Sequence, residues 1–288
     1  MGLHGLLRDL MTRPLPDLTL FIGPQSRHGL SVNLAVRDNR PAMISAGLAS
    51  YPTRMASPAL RALADPNGTL DDRRAAFAAL TDEKPAFYSA LNFLGAPHRG
   101  FRLSDLFPEA ESQLGGLAEA AGDAAFRLVM APDTLPDLFL AAGSDALEAR
   151  VRETPWEQFY EVNWADLVIE TQAALPGAEI IVLTHSGTAL GGEALSEFLF
   201  GPAADAVDAR VFLRGSLNVT GQAVLDRMGK GVPPDEVARD LYRSFADRAD
   251  KATCRERLGM DRLTWTLLLQ RFDEDVERIA ALDGVEVI

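Results

Sequence analysis

The residues of this chain best suited to chemistry stand in one short stretch: Gly23, Gln25, Arg27, His28, Gly29 and Ser31. They follow the apolar run Leu18 to Ile22 and lead into an Ala/Val-bearing segment. The local order is therefore a buried strand, a Gly/Pro turn and a helix starting near Gly29 and running to Val36. Backbone N–H groups at such a turn, with the positive end of a helix, cradle phosphate and sulfate groups. Arg27 and His28 would supply the cationic clamp and Ser31 a hydroxyl, although a helix-capping role explains Ser31 equally well. The lysine that such loops set against phosphoryl oxygens is absent. His98, beside Arg99 just past the second strand, is a further candidate base, because an imidazole exchanges protons near neutrality. His185-Ser186-Gly187 follows the strongest apolar run, where α/β proteins place ligand contacts. Thr184 occupies the first glycine position of a nucleophile elbow, so a serine hydrolase built on Ser186 and His185 is a weak reading.

These residues need elements to hold them. Ala86 to Ser89, Phe126 to Met130 and Glu179 to Thr184 read as further strands, the last apolar throughout as central parallel strands are. Helices are expected over Ser57–Leu63, Leu70–Leu80, Ser104–Ala121, Pro132–Ala142, Trp156–Ala174, Gly192–Leu199, Val219–Met228, Asp235–Ala249 and Arg262–Leu282. Pro41 to Tyr51 mixes alanines with turn formers, and Gly229 to Pro234 is a linker-like break. Trp156 and Trp164 lie on an apolar stripe and are assigned to the core. Asp273, Glu274, Asp275 and Glu277 read as a solvated acidic face. Strands alternating with helices predict an α/β fold, a three-layer parallel sheet with helices on both faces, as one domain over 1–288 whose part from 210 is mainly helical.

Composition narrows the function. The 288 residues are 47% hydrophobic and 24% charged, ample for a core. Twenty-eight basic residues against 41 acidic ones leave a net charge of -13, which repels polyanions and argues against nucleic-acid binding. Cys254 is the sole cysteine, which excludes an intramolecular disulfide and a multi-cysteine metal site. The four histidines lack metal-ligand spacing, so no metal is expected. No apolar run spans a bilayer and the first 17 residues lack a signal-peptide pattern, so a cytoplasmic location is expected.

The order of the pieces resembles bacterial sulfotransferases of the P-loop kind, which move sulfate from 3′-phosphoadenosine-5′-phosphosulfate (PAPS). Thr19 to Ser31 is similar to their strand and phosphosulfate loop, and Phe87 to Gly95 to their second strand. Phe126 to Leu140 is similar to their 3′-phosphate region, Ala173 to Leu183 to the helix end and strand that follow, and Arg271 to Val276 to a helix near their C-terminus. The resemblance puts Arg27 where the loop lysine belongs and Leu30 where a hydroxyl belongs. It puts Leu91 in the place of the glutamate base, Val129 or Met130 in the place of an arginine, and Asp137 in the place of a serine. A leucine takes no proton, and a carboxylate repels phosphate. The resemblance thus implies a sulfotransferase-like fold without sulfate transfer: a non-catalytic protein that binds a small anionic ligand or a protein partner and needs no cofactor. The alternative it leaves is a divergent sulfotransferase in which Arg27 replaces the lysine, His28 or His98 is the base, and PAPS or its product 3′-phosphoadenosine-5′-phosphate (PAP) is bound.

Overall fold

The computed structural model describes residues 13, 15–24, 26–63, 65, 67–82, 85–91, 93–94, 107, 110–229 and 231–288 (Ser57 by its backbone only). Gln25, His98 and most of 95–109 lie outside the described residues. Six strands form one parallel sheet: β1 (Leu18–Ile22), β2 (Ala49–Tyr51), β3 (Ala86–Ala90), β4 (Phe126–Met130), β5 (Ala178–Val182) and β6 (Val285–Val287), in the spatial order β2-β3-β1-β4-β5-β6. The helices are, in chain order, α1 (Arg27–Ser45), α2 (Thr53–Leu63), α3 (Leu70–Thr81), α4 (Ala110–Ala121), α5 (Leu135–Ala142), α6 (Asp145–Glu153) and α7 (Trp164–Ala174). They continue with α8 (His185–Leu190), α9 (Gly192–Phe200), α10 (Arg210–Gly215), α11 (Val219–Arg227), α12 (Asp235–Phe245), α13 (Lys251–Leu258) and α14 (Arg262–Ala280).

Side chains alternate across the central strands, and both faces are apolar. Leu20, Ile22, Leu128, Met130, Ile180 and Val182 enter one core with α2 to α7 and α14. Phe21, Phe87, Val129 and Ile181 enter the other with α1, α9 and α10. A sheet covered on both faces needs strands without a polar side, which is why β1, β3 and β4 are buried at every residue. The sheet is thus three-layered with helices on both sides, as the sequence predicts.

The topology creates one crevice. Ile22 pairs with Met130, and Met130 with Val182, so β1, β4 and β5 end level with one another. From there the chain leaves β1 into α1 in one layer, whereas it leaves β4 into α5 in the opposite layer. Where adjacent strands send their connections to opposite faces, the carboxyl ends part and a crevice opens.

Several elements differ from expectation. The first helix starts at Arg27 and continues through Pro41 to Ser45, because Met43 on its last turn is fully buried. Edge strands β2 and β6 and helix α6 carry too few apolar residues to read as elements. Trp156 to Ala174 is two pieces: a 3₁₀ turn at Trp156–Glu161, then α7, opened by Asn163, whose side chain accepts the Asp166 N–H at 3.1 Å. Trp156 is 40% exposed rather than in the core, whereas Trp164 is buried. The helix after β4 starts at Leu135, capped by Thr134, rather than at Pro132. Asp275 is not solvated: it is buried and accepts the Trp164 backbone N–H at 2.9 Å.

Candidate functional site

The crevice between β1 and β4 is filled by six polar side chains drawn from distant parts of the chain. His28 stands on the first turn of α1 and Asp133 in the turn after β4. Asp137 lies on the first turn of α5, and His185 opens α8 after β5. Tyr242 on α12 and Arg248 in the turn beyond it close the cluster. His28, Asp133, Asp137 and His185 are each at most 3% exposed.

Contacts within the cluster run as a chain. His28 Nδ1 lies 3.4 Å from Asp133 Oδ2, and the His28 and His185 rings meet edge to face at 5.3 Å. His185 Nδ1 and the Tyr242 hydroxyl are hydrogen-bonded at 2.7 Å. Asp133 Oδ1 accepts the Thr134 N–H at 2.9 Å, and its backbone carbonyl accepts Trp164 Nε1–H at 2.9 Å. Asp137 accepts the Thr134 hydroxyl at 2.6 Å, Arg248 Nε–H at 3.1 Å and the Ala249 N–H. Among the described residues, no good hydrogen-bond partner stands by either His28 ring nitrogen, Asp133 Oδ2 or His185 Nε2, all of them buried. Each such unmade bond costs about 1–3 kcal/mol.

Electrostatics sort these groups. Burial depresses the His185 imidazole to about 3, helped by repulsion from His28, so it is neutral at physiological pH. Burial also opposes ionisation of Asp133, but the adjoining His28, with the pull of His185 and Arg248, outweighs it and holds that carboxyl below the usual range. Asp137 moves the other way: burial and then the charge of Asp133 raise it, against Arg248, the Thr134 hydroxyl and the Ala249 N–H. Tyr242 is raised, chiefly by burial. Two carboxyls driven apart beside histidines are the ingredients of an acid–base centre. Here they are sealed beneath the chain that carries Tyr242 and Arg248.

The residues expected to hold an anion are placed differently from that reading. Ser26 caps α1: its hydroxyl accepts the Gly29 N–H at 3.0 Å and contacts the Ala131 carbonyl at 3.4 Å, fully buried. Gly29 is required, since a Cβ there would meet Ser26 Oγ at 2.8 Å and Leu91 Cδ2 at 3.2 Å. Gly23 lies against Ala131. Ser31 is not the cap; its hydroxyl donates to the His28 carbonyl at 2.6 Å inside the protein. Arg27 and His28 do not form a clamp: His28 turns inward to Asp133, while Arg27, half-buried, pairs with Asp247. Beside Arg27 a cavity of about 350 Å³ opens, walled by Leu30, Leu34 and Val211 with Arg214 and Asp247 at its edge. Ser186 is exposed with its hydroxyl 3.3 Å from that of Thr184, while His185 is engaged with Tyr242.

The sequence reading missed Asp133, Tyr242 and Arg248. Asp133 carried a signal in its place just after a buried strand. Tyr242 and Arg248 carried none, since only the topology brings them to β4. Among the described residues no group of three or more His, Cys, Asp or Glu side chains is arranged to hold a metal. No helix among them is long and apolar enough to cross a membrane. No protein-family model, curated protein or solved structure matches the chain.

Proposed function

We propose that this protein is a non-catalytic binding protein, related in design to phosphate-loop sulfotransferases but with its anion cradle occupied by its own side chains. One observation carries the reading. The Ser26 hydroxyl sits at the N-terminus of α1 and takes the Gly29 N–H that a bound anion would otherwise take. Two further features support it. Asp133, held ionised, and Asp137 lie under the same loop and would repel a phosphosulfate, and Leu91, in the place of a general base, packs against Gly29. Binding is then a task for open cavities rather than for the closed crevice.

Calorimetric titration with PAP tests the reading. The expected result is no saturable heat at millimolar nucleotide. Micromolar binding that Arg27→Ala abolishes would overturn it in favour of a divergent sulfotransferase, since such an affinity corresponds to about -8 kcal/mol and needs a built pocket.

A further inference from the structure

Far from the crevice, the turn between α2 and α3 carries an amide side chain that the fold leaves unengaged. The chain has six asparagines: Asn33, Asn39, Asn67, Asn92, Asn163 and Asn218. Asn33 Oδ1 accepts the Thr53 N–H at 2.9 Å and the Thr53 hydroxyl at 3.0 Å, and Asn39 Nδ2 donates to the Ala35 carbonyl at 2.9 Å. Asn163 and Asn218 cap α7 and α11, their side-chain oxygens accepting backbone N–H groups at 3.1 Å and 2.9 Å. Asn67 differs. It is exposed, and among the described residues no partner stands by its side-chain amide. Only its backbone is held, through an N–H that donates to Asp65 Oδ1 at 2.9 Å.

The next residue separates the asparagines further. Leu34, Arg40, Phe93, Trp164 and Val219 follow the other five, whereas Gly68 follows Asn67. A peptide nitrogen can attack the side-chain amide of the residue before it only by reaching that Cγ. A Cβ beside the nitrogen crowds the approach, and glycine has none. Leu34 and Arg40 lie inside α1, whose ladder occupies their N–H groups, and the Trp164 N–H is held by Asp275. The Gly68 N–H donates to the Asp65 carbonyl at 3.1 Å in a turn that lies between the end of α2 at Leu63 and the start of α3 at Leu70. Backbone bonds of exposed turns open at the low end of local stability, so this nitrogen is released far more often than one in a helix.

We propose that Asn67–Gly68 is a site of self-modification, at which the asparagine converts to aspartate and isoaspartate by intramolecular attack, with water as the one co-reactant. The Gly68 nitrogen gives its proton to solvent and bonds to Asn67 Cγ. The Cγ–Nδ2 bond breaks, and Nδ2 takes up a proton and leaves as ammonia. Water then opens the cyclic imide, and no electrons are transferred. Cleavage of the new N–Cγ bond restores the ordinary backbone with aspartate; cleavage of the original peptide bond leaves the chain running through Cγ as isoaspartate. Either product adds one negative charge to the present -13. The isoaspartate also lengthens the main chain just ahead of the α3 cap, where the Thr69 hydroxyl accepts the Asp72 N–H at 3.2 Å and Asp72 Oδ2 accepts the Thr69 N–H at 3.0 Å. The inference uses no residue of the crevice and stands whether or not PAP binds.

The test is peptide mapping by mass spectrometry of the full, folded chain aged in warm, mildly alkaline buffer, where the peptide nitrogen loses its proton more readily. Conversion of amide to acid is expected at position 67 ahead of every other asparagine, with aspartate and isoaspartate both present and a more acidic species growing in on anion exchange. Gly68→Ala should slow the conversion about tenfold or more, because the added Cβ crowds the attacking nitrogen. That Cβ would meet the Asp65 carbonyl oxygen at 3.3 Å, a contact that a small shift of this exposed turn relieves. Asn67→Ser, which has no amide to lose, should abolish the early acidic species. Conversion at position 67 no faster than at the engaged asparagines overturns the proposal. So does an unchanged rate in Gly68→Ala, or an early acidic species that persists in Asn67→Ser.

Discussion

At the scale of single residues, the crevice cluster is a stability element whose members hold one another in place. Asp137 is the centre of one half: it joins the N-terminus of α5 to Arg248 and Ala249, more than a hundred positions away in the chain. Asp137→Ala leaves Arg248, the Ala249 N–H and the Thr134 hydroxyl without their acceptor. Removing one partner of a buried pair costs roughly 3–5 kcal/mol, and the one-third exposure of Arg248 lets water recover part of it. The expected loss is about 3 kcal/mol, read from the urea midpoint; a loss below about 1 kcal/mol would show that the segment carrying Arg248 does not depend on this contact.

His185 makes the second residue-scale prediction, through pH. Its folded value of about 3 lies below the unfolded 6.5. Between those values the unfolded chain binds the proton and the folded one does not, so stability falls as pH is lowered through that window, by up to about 1.4 kcal/mol per unit. Asp133, lowered, adds a loss in the same direction only below the ordinary carboxylate range. Asp137, raised, contributes the opposite slope just above that range. Comparing the wild type with His185→Asn isolates the histidine, because an asparagine amide keeps a partner for the Tyr242 hydroxyl but does not titrate. The variant is expected to have the flatter profile of unfolding free energy between pH 6.5 and 5; parallel profiles would mean that His185 is protonated in the folded protein.

At the scale of elements, legibility followed burial. β1, β4 and β5 were readable because a central parallel strand is buried along its length and rich in apolar residues: Leu18–Ile22 and Phe126–Met130 are buried throughout with only Thr19 and Arg127 polar, and Ile180–Val182 are apolar. The edge strands Ala49–Tyr51 and Val285–Val287 are three residues long, and their pairing with β3 and β5 is a tertiary fact. Capping chemistry was likewise half readable: Thr69 and Asp72 form a reciprocal capping box at α3, a Thr-x-x-Asp pattern that stands in the sequence just where the helix opens. At α1 the cap is Ser26 and not Ser31, for which capping was one of two readings, because the helix begins at Arg27, two residues before the start near Gly29 that its pattern predicts. Of the cluster, the sequence singled out His28 in the loop after β1 and His185 after β5, and named Asp137 only as standing where the resemblance puts a serine. Which groups face one another was not legible, since Tyr242 and Arg248 reach β4 only through the fold.

Helix α1 offers the element-scale prediction. Pro41 lies in its interior and is exposed, so the helix tolerates a missing N–H and a ring where the chain should turn away. Burial of Met43 against the second core holds the last turn in place despite this. Pro41→Ala restores the hydrogen bond and relieves the ring contact, while returning some freedom to the unfolded chain. A net gain of about 1 kcal/mol is expected in chemical denaturation; a loss would mean that the proline fixes a bend that the Met43 contact requires.

The scale of the whole molecule is set by charge. A net charge of -13 with a sequence pI near 4.8 means that acidic groups on a compact surface repel one another at neutral pH, whereas the unfolded chain spreads them apart. Added salt screens that repulsion, with a Debye length falling from about 10 Å at 0.1 M to about 3 Å at 1 M. It also weakens exposed pairs such as Arg214 with Asp226 and Arg37 with Asp38, but solvent already screens such pairs and they contribute little. The buried pairing of Asp137 with Arg248 is screened far less. Repulsion spread over the whole surface therefore outweighs the few exposed attractions, and sodium chloride at about 0.5 M should raise the melting temperature at pH 7.5 by a few degrees. Near pH 4.8, where the net charge vanishes, the same salt should have little effect or lower it. Chloride is the right anion because sulfate strengthens apolar burial by a separate route and would blur the comparison. A salt response of equal size at both pH values would show that net charge does not limit this fold, and would shift attention to the buried cluster as the main electrostatic determinant of its stability.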